Sequence, residues 1–186
     1  MSESISVLLV PGLACSPRLY APQMPALWQA AGAVMVANHT GADTMSGIVQ
    51  AIVASAPPRF HLVGLSMGGY ISFEILRQAS ARVVKLALID TGARADTAEQ
   101  TERRKKLIAL AEQGKLAEIN DTFWPLLVHE TRQSDKDFAR DGRHDNVRDG
   151  RSGVRSPAAG INWPAGLAPA VGVRSRVNNR YCRRQR

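Results

Sequence analysis

Apolar residues in this chain come in short runs separated by amphipathic stretches. Ile5 to Val10 reads Ile-Ser-Val-Leu-Leu-Val, a β-branched run suited to a strand covered on both faces, and it stops at Pro11-Gly12. The stretch around Pro25 to Ala31 predicts a helix and Ala33 to Ala37 a second strand. Ile48 to Ala56 continues as a helix that Pro57-Pro58 ends, and Phe60 to Leu65 is the third strand. After Ser66 the apolar positions Tyr70, Phe73, Ile75 and Leu76 fall near helical spacing as far as Ala79, and Val83 to Ile89 is a fourth strand. Strands alternating with helices of this length form right-handed crossovers and a parallel sheet with helices on both faces, an α/β fold.

Beyond Asp90 the pattern is helical only. Thr97 with Gln100 is a capping box, Leu107, Ile108, Leu110 and Ala111 form the apolar stripe, and Gly114 is placed to end the helix. A second helix follows, with Leu116, Ile119, Phe123, Leu126 and Leu127 as its buried side, and another is expected to begin near Asp135. Helices inserted after the fourth strand, over about 97–139, are expected to form a lid rather than part of the sheet.

At 186 residues with 45 % hydrophobic and 22 % charged residues, the chain has the size and composition of one globular domain. No stretch approaches the apolar length of a membrane span, and Met1 to Ser6 lacks the basic start and apolar run of a signal peptide, so a cytoplasmic protein is expected. Cys15 and Cys182 stand too far apart in sequence to suggest a metal knuckle or a redox pair, and both are expected to be free thiols. The net charge of +8 suggests nucleic acid until it is divided along the chain. Residues 1–139 carry 13 Lys+Arg against 13 Asp+Glu, whereas residues 140–186 carry 11 Arg and 3 Asp. All of the excess lies in a tail that has lost the apolar periodicity. Its aromatic residues, Trp163 and Tyr181, are too few for base stacking, which argues against nucleic acid as a partner.

Gly64-Leu65-Ser66-Met67-Gly68 fits G-x-S-x-G and sits where a strand ends and a helix begins. That context is what the motif needs: the serine occupies a sharp turn, and the flanking glycines let strand and helix approach. The helix starting at Met67 directs its amides and positive dipole end at the site, which favours an oxyanion there. At the end of the first strand, Val10-Pro11-Gly12-Leu13 turns the chain at the carboxyl edge of the sheet, where ligands bind in open α/β folds. The N–H groups of Leu13 and Met67 are the two candidate donors to a tetrahedral intermediate. The alternative is that Pro11-Gly12 is only a turn and Ser66 only a helix cap.

Together, the strand-Pro-Gly-Leu opening, Gly64-Leu65-Ser66-Met67-Gly68-Gly69 and Leu86-Ala87-Leu88-Ile89-Asp90-Thr91 resemble the α/β-hydrolase fold superfamily, in its small bacterial esterase-like branch. The resemblance covers about residues 5–139. It implies a parallel sheet with flanking helices and a helical lid, cofactor-free acyl chemistry on a small-molecule acyl substrate, Ser66 as nucleophile, and the amides of Met67 and Leu13 as oxyanion donors.

The family order is Ser, then Asp or Glu, then His, with the last two on loops after strands that follow the lid. Those strands cannot be read here, so the expected architecture is truncated before them. After Ser66 stand His129, in the lid region, and His144, in the tail; both read as surface histidines. Asp90 ends the fourth strand on the correct edge but reads as a loop anchor or cap. His39 and His61 precede the serine; His39, in a loop after a strand, could face the site only by departing from family order. Arginine without lysine, with frequent Gly, Ala and Pro, is what GC-rich coding sequence gives when read out of register. Read one base later, the codons of 163–170 permit Gly-Arg-Pro-Asp-Ser-Arg-Pro-Leu and those of 156–159 permit Arg-Gln-Gln-Gln, strings that resemble the segment after the lid in this family. Residues 140–186 are therefore expected to be an aberrant, disordered tail, and the chain a hydrolase that lacks the Asp/His part of its triad.

Overall fold

The computed structural model describes residues 5–136 apart from 14, 43, 95 and 96. Strands β1 (Ser6–Val10), β2 (Val34–Val36), β3 (Phe60–Leu65) and β4 (Val83–Ile89) form one sheet in the order β2-β1-β3-β4, parallel throughout. Leu8 stands beside Met35 and Leu62, Val10 beside Gly64, and Gly64 beside Leu88. The chain leaves β1 toward one edge and then returns across it to β3, so the order reverses between β1 and β3. A crevice opens at such a switch point, outside the carboxyl ends of the strands.

Helices α1 (Met24–Ala30), α2 (Met45–Ser55) and α3 (Met67–Ala79) make the crossovers. One sheet face, with Leu8, Val10, Phe60 and Leu62, packs on Val49, Ile52, Ile71 and Ile75 of α2 and α3. The opposite face, with Val7 and Leu9, is covered by Tyr20 and Leu27. Tyr20 belongs to a 3-10 helix, Pro17–Gln23, that periodicity did not foretell; Ser16 caps it and Pro22 lies inside it. Helix α2 starts three residues earlier than expected because Thr44 Oγ1 accepts the Gly47 N–H at 3.1 Å.

The Tyr20 hydroxyl donates to the Val10 carbonyl at 3.1 Å. Burial first, and then the negative charge of the Cys15 thiolate, push its pKa up to about 12. The folded state thus holds this proton more tightly than the unfolded chain does. Its contribution is complete below pH 10 and is lost as pH rises through the window between the unfolded and folded values. Urea midpoints measured from pH 8.5 to 11.5 should fall over the upper part of that range. Tyr20→Phe should cost about 1 kcal/mol at pH 8 and flatten the decline.

Strand β4 has β3 as its partner on one side and, among the described residues, none on the other. Lys85, Ala87 and Ile89 are exposed on the face that α2 and α3 do not cover. After it come α4 (Ala98–Glu112), α5 (Leu116–Leu127) and the short α6 (Glu130–Gln133). The capping box is present, with Gln100 N–H on Thr97 Oγ1 at 3.2 Å and Thr97 N–H on Gln100 Oε1 at 2.9 Å. Arg104 of α4 lies 5.7 Å over the Tyr70 ring and ties this helical unit to α3. One expectation fails here. Ile119 and Phe123 of α5 are half-buried, but Leu126 and Leu127, expected on the same buried side, are each 70 % exposed. Ile119 and Phe123 do share a face, but its far end is largely uncovered among the described residues. The helix expected from near Asp135, His144, Cys182 and the tail 140–186 lie outside the described residues, Asp135 and Lys136 excepted. No described helix is long and apolar enough to cross a membrane.

Candidate active site

β1 and β3 end side by side at the switch point, and the chain leaves each through a turn. Ser66 is the single residue between β3 and α3. Its φ of 51° and ψ of −116° put it in backbone space that L-residues avoid, at a cost on the order of 1–3 kcal/mol. The side chain is exposed and does not cap α3. The cap reading therefore falls, and the strand-to-helix bend is sharp rather than a continuation of the helix.

The glycines explain how so tight a bend packs. A Cβ on Gly64 would strike the Gly68 carbonyl and the Ser72 hydroxyl, and one on Gly68 would strike the carbonyls of Val10 and Pro11. The first turn of α3 thus abuts the end of β1 directly. On the other side, a Cβ on Gly12 would sit 3.5 Å from Ser66 Cβ, so the loop after β1 packs against the serine. These two close approaches bring the Gly12 turn and the start of α3 together at Ser66.

The backbone of Ser66 is held from β4 as well. Its N–H donates to the Ile89 carbonyl at 2.9 Å, and its carbonyl accepts from the Gly69 N–H at 2.9 Å and from Thr91 Oγ1 at 2.8 Å. Met67 is buried, and its N–H is the first of α3, with no acceptor inside the helix. Leu13 is 36 % exposed at the turn. Neither amide meets an acceptor among the described residues.

Three histidines, His39, His61 and His129, lie among the described residues. His129 caps α6, its Nδ1 lying 3.0 Å from Thr131 Oγ1, which is the surface role expected of it. His61 lies five residues back along β3, on the order of 15 Å from the bend. His39 is 2 % exposed and lines a cavity of about 240 Å³ with Pro11, Cys15, Val36, Asn38 and Thr40, at the carboxyl ends of β1 and β2. Ser66 Oγ donates no hydrogen bond to a histidine nitrogen among the described residues. Cys15 is half-buried in that cavity wall, its thiol directed at the Leu13 carbonyl at 3.5 Å. Asp90 is exposed, with φ of 45°, just past the end of β4. Sequence reasoning passed over Thr91, which entered only as part of a matching string. The third glycine, Gly69, was the available signal, since a glycine early in a helix marks a close neighbour.

No family model matches the chain. It is 31 % identical over 103 residues to "Putative carbamate hydrolase RutD" of Variovorax paradoxus (strain S110), a match covering 48 % of this chain and 39 % of that protein. Among solved structures, a thermophilic esterase from Thermogutta terrifontis superposes with a TM-score of 0.71 at 24 % identity, covering 86 % of this chain and 64 % of the esterase. A hydrolase from Pseudomonas aeruginosa PA01 gives 0.70 at 19 % identity, with the same coverages of 86 % and 64 %. The chain therefore has the α/β-hydrolase fold, and it spans less than two thirds of the length of these relatives.

Proposed function

We propose, on the premise of that fold, that the chain carries the nucleophile half of a serine hydrolase acting on a small carboxylic ester or a related acyl compound. One observation carries the reading: an exposed serine at a strained strand-to-helix bend, followed by a first helical N–H that meets no acceptor among the described residues, with the Gly12 turn packed against the serine. In the reaction Ser66 Oγ attacks the acyl carbon and its proton passes to a base. The carbonyl oxygen becomes an oxyanion that the Met67 and Leu13 N–H groups stabilise. The alcohol or amine then leaves with that proton, and water releases the acid from the serine ester. The names of the relatives, an esterase and a carbamate hydrolase, support this class, because esters and carbamates both react through such a tetrahedral intermediate.

A second reading is favoured by the absence of a histidine on Ser66 among the described residues. In it, the chain binds an acyl ligand without turning it over. Oxyanion donors alone sustain a residual rate on the order of 10³-fold over water, so an incomplete enzyme still differs from an inert one. A labelled fluorophosphonate decides between them. Labelling that Ser66→Ala abolishes supports the hydrolase, and a folded parent that is not labelled leaves the binding reading. In that case Ser66→Ala should leave acyl-ligand affinity within about threefold.

A further inference from the structure

The peptide that joins Ser66 to Met67 carries both the Ser66 carbonyl and the Met67 N–H, and in a trans peptide these point in opposite directions. Whatever grips the carbonyl therefore aims the amide. Two donors grip it from one side: the Gly69 N–H at 2.9 Å, within the first turn of α3, and Thr91 Oγ1 at 2.8 Å, from beyond the end of β4. The first is local and rides with the helix. The second is anchored to a different strand, so it fixes the peptide plane against the sheet.

Two features exist to deliver that hydroxyl. Gly69 leaves the space that Thr91 fills; a Cβ there would lie 2.6 Å from Thr91 Cβ and 2.5 Å from its Cγ2. Asp90, just before it, takes a φ of 45°, which turns the chain past the end of β4. Ser66 and Asp90 are the two non-glycine residues with positive φ among the described residues, and Thr91 links them. Strain of this kind persists only where surrounding contacts over-determine it.

We propose that Thr91 is a positioning residue for the oxyanion site. Its hydroxyl locks the Ser66–Met67 peptide with the Met67 N–H directed outward, and by donating to the carbonyl it polarises the same peptide and strengthens that N–H as a donor. This rests on the reading of Ser66 as nucleophile with Met67 as an oxyanion donor, and it adds what holds that donor in place. Thr91 touches no reacting atom.

The experiment compares the full chain with Thr91→Val, which keeps the shape and removes the hydroxyl, and Thr91→Ser, which keeps the hydroxyl. Two readouts are taken on samples verified as folded by circular dichroism: the ¹H–¹⁵N resonance of Met67, and the fluorophosphonate reaction of Ser66 resolved into reversible affinity and covalent rate constant. The expected result is a moved or broadened Met67 resonance in Thr91→Val and a covalent rate lower by roughly 10- to 100-fold, a fraction of what a lost oxyanion donor costs, with affinity unchanged. Thr91→Ser should restore both to within about threefold. A folded Thr91→Val with parental resonance and rate overturns the proposal, as does a Thr91→Ser as impaired as Thr91→Val. A parent that is never labelled defeats the nucleophile reading instead, and the Met67 resonance alone then decides whether Thr91 sets the peptide plane.

Discussion

Gly68→Ala should unfold the protein well below the parent's urea midpoint, with a loss of about 3–5 kcal/mol out of a total stability of about 5–15 kcal/mol. The added methyl falls on the Val10 carbonyl oxygen and lies 2.7 Å from both the Val10 carbonyl carbon and the Pro11 oxygen. All of these are backbone atoms at and just past the buried end of β1, so no side chain can swing aside. Relief requires α3 to lift from β1, which uncovers Val10 and Ile71, each with no exposed surface. The same shift separates the Met67 amide from the Leu13 loop, so the fraction that stays folded should also lose fluorophosphonate labelling. Gly41→Ala is the control, because nothing lies within 4 Å of its added Cβ. It should move the midpoint by less than about 1 kcal/mol.

Arg82→Met should be the second costly change, at about 2–4 kcal/mol by urea titration. Arg82 ends the short 3-10 helix Ser80–Arg82 just ahead of β4 and reaches back to the end of α2. Its guanidinium donates to the carbonyls of Val53 at 2.8 Å, Ala56 at 2.6 Å, Pro57 at 2.7 Å and Pro58 at 3.2 Å. It also lies 5.7 Å over the Phe60 ring. Helices leave their last carbonyls without partners, and here the two prolines that follow bring no N–H to help. One planar five-donor group closes the helix and fastens it to the entries of β3 and β4. Methionine keeps the stem's packing but leaves four carbonyls, three of them partly buried, to find water. Arg82→Lys should recover only part of the loss, because a point charge cannot serve diverging acceptors at once.

The alternation of apolar runs with amphipathic stretches was enough to place all four strands and the helices between them, since a parallel sheet writes β-branched runs bounded by Pro and Gly. The bend at Ser66 was legible for the same reason: three fixed residues fall at a junction that periodicity locates independently. What escaped was long-range. That Arg82 would serve carbonyls some 25 positions earlier, or that Thr91 would donate to Ser66, depends on which loops the fold brings together, and neither residue belongs to a local pattern. Pro17–Gln23 escaped because a one-turn-per-three-residues helix with proline inside has no 3.6-residue signature. Leu126 and Leu127 show the complementary error. Spacing tells which side chains share a face of a helix, while the extent of cover over that face is decided by the neighbouring elements.

Among the described residues strand β4 is tied to the sheet along one margin only, yet its terminus supplies both the Ile89 carbonyl and the Thr91 hydroxyl that hold the bend. The stiffness of the bend at Ser66 is therefore on loan from a marginal strand of the described sheet. Fluctuations that peel β4 away would slacken the serine first, long before the buried layer beneath it melted, and a strand paired along its other margin would tighten it from a distance.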